Sequence, residues 1–367
     1  MFIAEFHQRQ EERPKMKRIA FFQNDLGVGG IQKSLVNLLC NLDYSRFEVD
    51  LYLSRRDKFF KTDFPPQLNV KYLQPMPRIL SFIPFDLARK LARQDFSGCG
   101  NYDLAVDFNS YQFSCAFGAT SVPAKRRVMW VHNNVEIKLG DEWKYRILWH
   151  FFKDKFKYYD EFVCVSEALV EPFQKMARIG NKSCGVIQNY IDVKEINKKL
   201  ELEPEGLALD ESCMNFVALG RLCHQKGYDI MLDTFAKACL ERPALRLYII
   251  GGGPDREALE KQAGELGIRQ KVYFLGNQSN PYCYMKKMDA FISTSRYEGQ
   301  PLNIMEAMAV GLPLYCSKNL ERYTEGLRGY DDLSAALVSA QKQEKKPDSL
   351  ESYNSKIIEG IAALAGA

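Results

Sequence analysis

Residues 289–316 read DAFISTSRYEGQPLNIMEAMAVGLPLYC, and their reading decides the fold. Residues 289–294 form a short apolar run, the pattern of a buried strand. A polar turn, SRYEGQ, follows. Pro301 fits the first turn of a helix, where its missing N–H costs nothing, and the apolar spacing predicts a helix over 301–309. Residues 312–316 then read as a second strand. Strand, loop, helix and strand in this order make a βαβ unit, which belongs to a parallel sheet covered by helices. The unit also carries chemistry. Glu298 stands in the loop, and Glu306 lies eight residues further on, about two helical turns away. Gly299 lets the backbone pass close to a ligand. The open N–H groups at the helix start suit phosphate or sugar oxygens. Two acidic residues alone also fit a plainer reading, in which one complements the helix dipole and the other faces water.

Working outward, the same alternation covers nearly the whole chain. Strand candidates in the first half are residues 18–23, 49–53, 103–108, 127–132, 161–166 and 185–189. In the second half they are 215–220, 246–251, 271–276, 289–294 and 312–316. Helix candidates between them include 31–42, 143–157, 227–240, 254–263 and 301–309. Short β-rich runs separated by amphipathic helices predict α/β architecture with doubly wound parallel sheets. The 367 residues suit two domains better than one. A polar stretch over 192–211 interrupts the alternation and predicts the boundary. The expected division is 16–190 for the first domain and 191–349 for the second. Residues 1–15 are expected to be a loose, disordered extension, with Met16 as a candidate start. Two such sheets in tandem place ligands in a cleft outside the carboxyl ends of their strands.

Composition narrows the classes. The hydrophobic content of 46% is ordinary for a globular protein. Ten cysteines are scattered without a C-x-x-C pair, which favours reduced thiols over a disulfide framework or a zinc site. No run has the ~18 apolar residues of a membrane span, and the N-terminus is too polar for a signal peptide, so a cytoplasmic location is expected. Lys and Arg outnumber Asp and Glu 28 to 21 over residues 1–190 and fall behind 22 to 25 in the rest, giving +7 and −3 for a net charge of +4. The first half is thus the side expected to meet something anionic, or it carries a solvated basic face. No nucleic-acid-binding module is present.

Three further stretches carry candidate site residues. ALGRLCHQKG (218–227) ends a strand at Gly220 and follows it with Arg221 and Lys226. A guanidinium fork and an ammonium at this spacing can both reach one diphosphate if the loop folds back. NDLGVGG (24–30) joins the first strand to a helix, and Gly27, Gly29 and Gly30 would let backbone approach a ligand at the helix start. His132 ends the strand RRVMWVH, where a lone histidine is commonly structural.

The string S-x-x-E-G-x-P-x-x-x-x-E-A-M-A-x-G-x-P, from Ser295 to Pro313, resembles the E-x7-E signature of the family-four retaining glycosyltransferases. ALGRLCHQKG resembles that family's G-R-x-x-x-x-K-G element. FVCVSEAL (162–169), LYIIGGGPDREALE (247–260) and VYFLGNQSN (272–280) resemble further family elements. VIQNYID (186–192) resembles its interdomain crossover, with Gln188 and Tyr190 in place of the usual Pro and Gly. The resemblance runs from Lys17 to Pro313. It implies two facing Rossmann-like domains with an open cleft, the GT-B-type fold. By the same resemblance Glu298 lies against the donor sugar and Glu306 holds the ribose hydroxyls. Arg221 and Lys226 bind the diphosphate, and His132 reaches the donor sugar from the first domain. Backbone around Gly299, Gln300, Leu302 and Asn303 would face sugar and phosphates, and Gly252 and Asn277 would flank the nucleobase. Gly29 and Gly30 would lie on the acceptor side. After Pro313 the chain departs from the family pattern, and the last helix, expected over 350–364, would pack back on the first domain.

The function so implied is transfer of a sugar from a nucleotide diphosphate, a UDP-sugar by family habit, to a glycan or lipid-linked glycan, as in capsule or lipopolysaccharide assembly. No D-x-D triplet and no cluster of metal-ligand spacing occurs, so no metal and no cofactor are expected. Retention is expected to proceed on one face of the sugar, with the diphosphate oxygen helping to deprotonate the acceptor. Residues 77–93 and 143–159 are basic and aromatic. They fit either a core face with snorkelling lysines or peripheral contact with an anionic membrane at the inner face. Alternatives on the same scaffold are a nucleotide-sugar epimerase, a phosphorylase, or a non-catalytic nucleotide-sugar-binding partner subunit.

Overall fold

The computed structural model describes residues 16–27, 29–56, 63–92, 94–141 and 143–367; the extension expected over 1–15 lies outside them. The first half contains, in order, β1 (Lys17–Gln23), α1 (Gly30–Asn41), β2 (Phe47–Leu53), β3 (Asn69–Tyr72), α2 (Phe85–Leu91), β4 (Tyr102–Asp107), α3 (Phe113–Ser121) and β5 (Ala124–Val131). It continues through α4 (Val135–Asp141), α5 (Trp143–Phe152), β6 (Glu161–Cys164), α6 (Val170–Ala177) and β7 (Ser183–Val186). The second half has α7 (Val193–Leu200), β8 (Met214–Leu219), α8 (Tyr228–Glu241), β9 (Leu245–Ile250), α9 (Arg256–Glu265), β10 (Val272–Gly276) and α10 (Pro281–Lys287). β11 (Ala290–Ser293), α11 (Leu302–Val310), β12 (Leu314–Cys316), α12 (Leu333–Ser339) and α13 (Glu351–Ala365) complete it.

Among the described residues there are two sheets, both parallel. The first runs β3-β2-β1-β4-β5-β6-β7 and the second β10-β9-β8-β11-β12. This is the α/β architecture that the alternating pattern predicts. The strand order reverses between β1 and β4 in one sheet and between β8 and β11 in the other. Those two switch points are where loops diverge and leave a crevice for a ligand. The loops after β1, β8 and β11 carry the three loop motifs singled out in the sequence.

Each sheet is buried on both faces, as parallel sheets must be. The core of the first contains Phe21, Leu51, Val106 and Val131; the two clusters of the second contain Phe216 with Leu247 and Phe291 with Ile304. Ile191 and Ile196 already belong to the second core, so the polar stretch after the boundary folds, as α7, onto the second domain. α13 crosses back. Ile357, Ile361 and Leu364 complete the first domain's core although they come last in the sequence.

Some local expectations shift. The helix expected over 143–157 ends at Phe152, and Lys153–Tyr158 tightens into a 3-10 turn. That tightening turns Phe156 into the core and Lys155 inward to the Ser110 carbonyl. β3 was not anticipated, because a four-residue edge strand with exposed ends shows no alternation. β12 is shorter than 312–316: Pro313 has no N–H for the ladder, although its carbonyl accepts from Phe291 N at 2.9 Å. Among the described residues no helix is long and apolar enough to cross a membrane.

Ile361 is buried within the first core. Ile361→Ala should cost about 2–5 kcal/mol of stability in chemical denaturation. Hydrogen exchange should place the loss in β1 and β4, against which α13 packs, and leave β8 to β12 unchanged.

Candidate active site

The site is built first by two loops of the second domain, those after β8 and β11. They are locked together because β8 and β11 are neighbours in the sheet. Gly227 has φ 62°, and a Cβ there would lie 2.3 Å from the Thr294 carbonyl oxygen, so only glycine fits. Thr294 Oγ1 donates to the Gly227 carbonyl at 2.8 Å. Arg296 grips Asp229 with both arms, at 2.7 and 2.5 Å, and Arg296 N donates to the Gln225 carbonyl. Asn303 Nδ2 donates to the Leu219 carbonyl at 2.7 Å. Lys226 Nζ thereby reaches Glu298 Oε1 at 2.5 Å. Glu298 is only 4% exposed, and a carboxylate this buried requires a partner. The sequence placed Glu298 and Lys226 in separate motifs; the fold makes them one ion pair.

The first domain closes on this pair. A Cβ at Gly299 would lie 1.7 Å from the His132 carbonyl oxygen, so the two backbones touch. Ser166 Oγ donates to the Gly299 carbonyl at 2.6 Å. The His132 ring, just beyond β5, stands 4.7 Å from the Phe108 ring, and its buried Nε2 has no hydrogen-bond partner among the described residues. Burial pushes its pKa down to about 3, although a backbone hydrogen bond at Phe108 opposes this. The imidazole is therefore neutral at physiological pH. A neutral ring with an unpaired buried nitrogen suits a ligand hydroxyl.

Glu306 lies deeper along α11. Lys33 of α1 crosses from the first domain and pairs with Glu306 Oε1. Lys33 Nζ also donates to Tyr282 Oη at 2.6 Å, and Tyr282 Oη donates to Glu306 Oε1 at 3.2 Å. Burial works against the Lys33 charge, but Glu306 outweighs it and holds the ammonium's pKa above its ordinary value. Close by, Gly30 faces Leu302 across the cleft, so the starts of α1 and α11 meet. No side chain caps either helix start. In α11 the Ile304 N–H is taken by the Asn303 side chain and the Pro301 carbonyl, and the N–H groups ahead of it suit an anion.

Other expected residues have further roles. The side chain of Gln300, whose backbone is expected to face the donor, accepts from Asn189 N at 2.6 Å and donates to Tyr353 Oη at 2.6 Å, which ties the loop to the interdomain crossover. Asn303 spends its side chain on Leu219. Arg221 is exposed and makes no ion pair, unlike Lys226. Gly252 lies beside the exposed Asn277 side chain; a Cβ on Gly252 would come within 3.0 Å of it. Gly29 packs against Gln32, whose amide donates to Asp25 at 3.0 Å and shapes the loop after β1. Asn134, two residues after His132, caps α4 through Ile137 N. Lys33, Tyr282 and the Arg296–Asp229 pair had not been singled out. The one available signal for Lys33 was the polar stripe Lys33, Ser34, Asn37 and Asn41 on an otherwise apolar helix. All ten cysteines are free; Cys164 and Cys184 face each other at 3.7 Å. Among the described residues no three His, Cys, Asp or Glu side chains converge as a metal site would need.

Residues 28–195 match the family model described as Glycosyltransferase Family 4, and residues 201–346 match that described as Glycosyl transferases group 1. The chain is 26% identical over 322 residues to the N-acetylgalactosamine-N,N'-diacetylbacillosaminyl-diphospho-undecaprenol 4-alpha-N-acetylgalactosaminyltransferase of Campylobacter jejuni, covering 82% of this chain and 81% of that one. It is 32% identical over 165 residues to the lipopolysaccharide 1,6-galactosyltransferase of Salmonella typhimurium, covering 44% and 43%. Among solved structures, Anabaena Alr3699/HepE in complex with UDP and glucose superposes with a TM-score of 0.65 at 19% identity, over 96% of this chain and all of that one.

Two outcomes follow from the geometry at His132. Its folded pKa lies near 3, below the ordinary 6.5, so between those values the unfolded chain binds the extra proton. Stability is full above about pH 6.5 and falls as the pH drops towards 3, by up to ~1.4 kcal/mol per pH unit from this residue. Melting curves of His132→Asn over that range should lack this part of the slope. Gly299→Ala should force the two domains apart, since the His132 backbone cannot yield; scattering should report a larger radius of gyration for a chain that still folds.

Proposed function

Because the chain belongs to the two-domain glycosyltransferases, a Family 4 half joined to a group 1 half, we propose that it is a retaining, metal-independent enzyme that transfers a sugar from a UDP-sugar to a lipid-linked or growing surface glycan. The observation that carries this reading is the buried Lys226–Glu298 pair at the β8/β11 switch point, with His132 and its unpaired ring nitrogen brought beside the same loop by the contact of the His132 and Gly299 backbones.

In this reading the diphosphate lies over the loop after β8. Lys226, Arg221 and the open N–H groups at the start of α11 neutralise the charge that builds on it as the sugar leaves. Glu298 orients Lys226 and lies against the sugar, and neutral His132 accepts a sugar hydroxyl. The acceptor hydroxyl attacks the anomeric carbon on the face the diphosphate is leaving. The bond to the phosphate oxygen breaks, the bond to the acceptor oxygen forms, and the acceptor proton passes to the departing phosphate oxygen. The enzyme supplies alignment and electrostatics. The UDP named in the solved neighbour and the polyprenol- and lipopolysaccharide-directed activities named for the relatives support the donor and acceptor classes.

The acceptor side has a matching surface. Ile79 and Phe82, Leu87 and Leu91 of α2, and Trp143 and Ile147 of α5 are exposed apolar side chains on the first domain, at 69, 54, 47, 63, 60 and 48%. Arg89, Lys90 and Arg146 stand on the same helices. Such a surface suits peripheral contact with an anionic bilayer, where a lipid-linked acceptor resides at the cytoplasmic face. The neighbouring stretch divides its roles: Phe156 and Tyr159 serve the core, whereas Trp143 and Ile147 face outward.

UDP release from a panel of UDP-sugars should single out one donor and should be unaffected by EDTA. Lys226→Ala and Glu298→Ala should each lower the rate by about 100- to 1,000-fold. Dependence on an added divalent cation would overturn the metal-free mechanism, and tight donor binding without turnover on any acceptor would favour a binding subunit. Vesicles containing anionic phospholipid should sediment the wild type, and Phe82→Ser with Leu91→Ser should weaken this at least tenfold. No sedimentation by the wild type would sink the membrane contact.

A further inference from the structure

The ion pair between Lys33 and Glu306 joins the two domains across the cleft. A buried pair is costly to desolvate, and one that only added stability would be better placed inside a domain. Its geometry is also one-sided. Glu306 Oε1 receives both the Lys33 ammonium and the Tyr282 hydroxyl, while Tyr282 Oη accepts from Lys33, so three groups close a triangle on one carboxylate oxygen. The ammonium further rests 4.9 Å from the centre of the Tyr282 ring. Glu306 Oε2 takes no part in this triangle.

Lys33 is in turn carried by a helix bound to the hinge. From the same face of α1, Ser34 Oγ donates to Asn189 Oδ1 at 2.5 Å. Asn37 Nδ2 donates to the Tyr190 carbonyl at 3.2 Å, and Asn41 Nδ2 to Asp192 Oδ2 at 2.9 Å. α1 thus lies along the crossover, with Lys33 at its cleft end. A rotation at the crossover would move Lys33 relative to Glu306.

We propose that Lys33 is a positioning residue for the donor nucleotide: together with Tyr282 it fixes one oxygen of Glu306 across the closed cleft and so holds the other towards the ribose hydroxyls. The inference rests on the reading of Glu306 as the ribose-holding group. It makes nucleotide affinity depend on closure, because the carboxylate is oriented only while the first domain is docked. Donor binding and closure then favour each other.

Calorimetry with UDP on the full chain tests this, using Lys33→Met, Lys33→Arg, Tyr282→Phe, Glu306→Gln and the Lys33→Met/Glu306→Gln double variant. Lys33→Met should weaken UDP binding about tenfold, Tyr282→Phe by less, and Lys33→Arg should restore most of the loss. The double variant should bind no more weakly than Glu306→Gln alone, since Lys33 acts only through that carboxylate. Donor hydrolysis at saturating donor should stay within about twofold of wild type for Lys33→Met, with the change confined to KM. Unchanged binding, tighter binding or losses that add in the double variant would overturn the proposal, tighter binding because Lys33 would then be a plug. If Lys33→Met does not fold, Tyr282→Phe and Lys33→Arg carry the same comparison. A wild type that binds no UDP removes the Glu306 reading and this inference with it; wild-type binding with an indifferent Lys33→Met removes this inference alone.

Discussion

The contact between the Gly299 backbone and the His132 carbonyl sets the width of the cleft. A side chain at 299 would stand inside that oxygen, so the loop after β11 can approach the end of β5 only as glycine. Once the backbones touch, Ser166 can reach the Gly299 carbonyl, Gly30 can meet Leu302, and Lys33 can span to Glu306. Each of these contacts depends on atoms from both domains. Moving the two backbones apart by the length of a single bond would weaken all of them together, because hydrogen bonds and ion pairs in a dry cleft fall off steeply with distance.

Two buried glutamates divide the work by the partners they hold. Glu298 pairs with Lys226 inside one domain, so this pair needs nothing from the other. Glu306 pairs with Lys33 of the other domain, so this pair needs the two docked. Pairing within one domain keeps the charge on the loop after β8 preorganised, the arrangement in which electrostatic stabilisation is most effective. Pairing across the cleft links Glu306 to the docking of the two domains. The loop after β8 is braced accordingly: Gly227 is packed under Thr294, and Arg296 clamps Asp229, so Lys226 has little freedom beyond its own side chain.

The sequence reveals whatever is local. The βαβ pattern over 289–316, the glycines before α1 and α8 and the alternation of strands and helices each follow from spacing within one segment, and the two-sheet fold follows from them. Glu298, Lys226 and His132 were legible as candidates for the same reason, each in a loop next to a strand end or helix start, and Glu306 by its spacing of eight residues from Glu298. What was not legible is pairing across the fold. Lys33 and Tyr282 are 249 residues apart, and Arg296 and Asp229 are 67 apart, so no periodicity connects them. Gln300 shows the converse. Its place in the signature loop points to the donor, yet its hydrogen bonds go to the crossover, which only the tertiary structure brings alongside. β3 escaped notice because a short edge strand has no buried face to imprint on the sequence.

The crossover is where these parts become one mechanism. Asn189 N donates to Gln300 of the signature loop, and its carbonyl accepts from Tyr353 of α13. Asn354 brackets Ile191 by donating to its carbonyl and accepting from its N–H. α13 itself is rooted in the first domain's core through Ile357 and Ile361. The hinge is therefore held on one side by α1 and on the other by a helix that the chain reaches only after completing the second domain. With side chains from both domains bonded to residues 189–192, rotation there cannot be a loose swing; it must exchange one set of hydrogen bonds for another. That favours discrete arrangements of the two domains over a continuum, and the Lys33–Glu306 pair belongs to the arrangement in which they are docked.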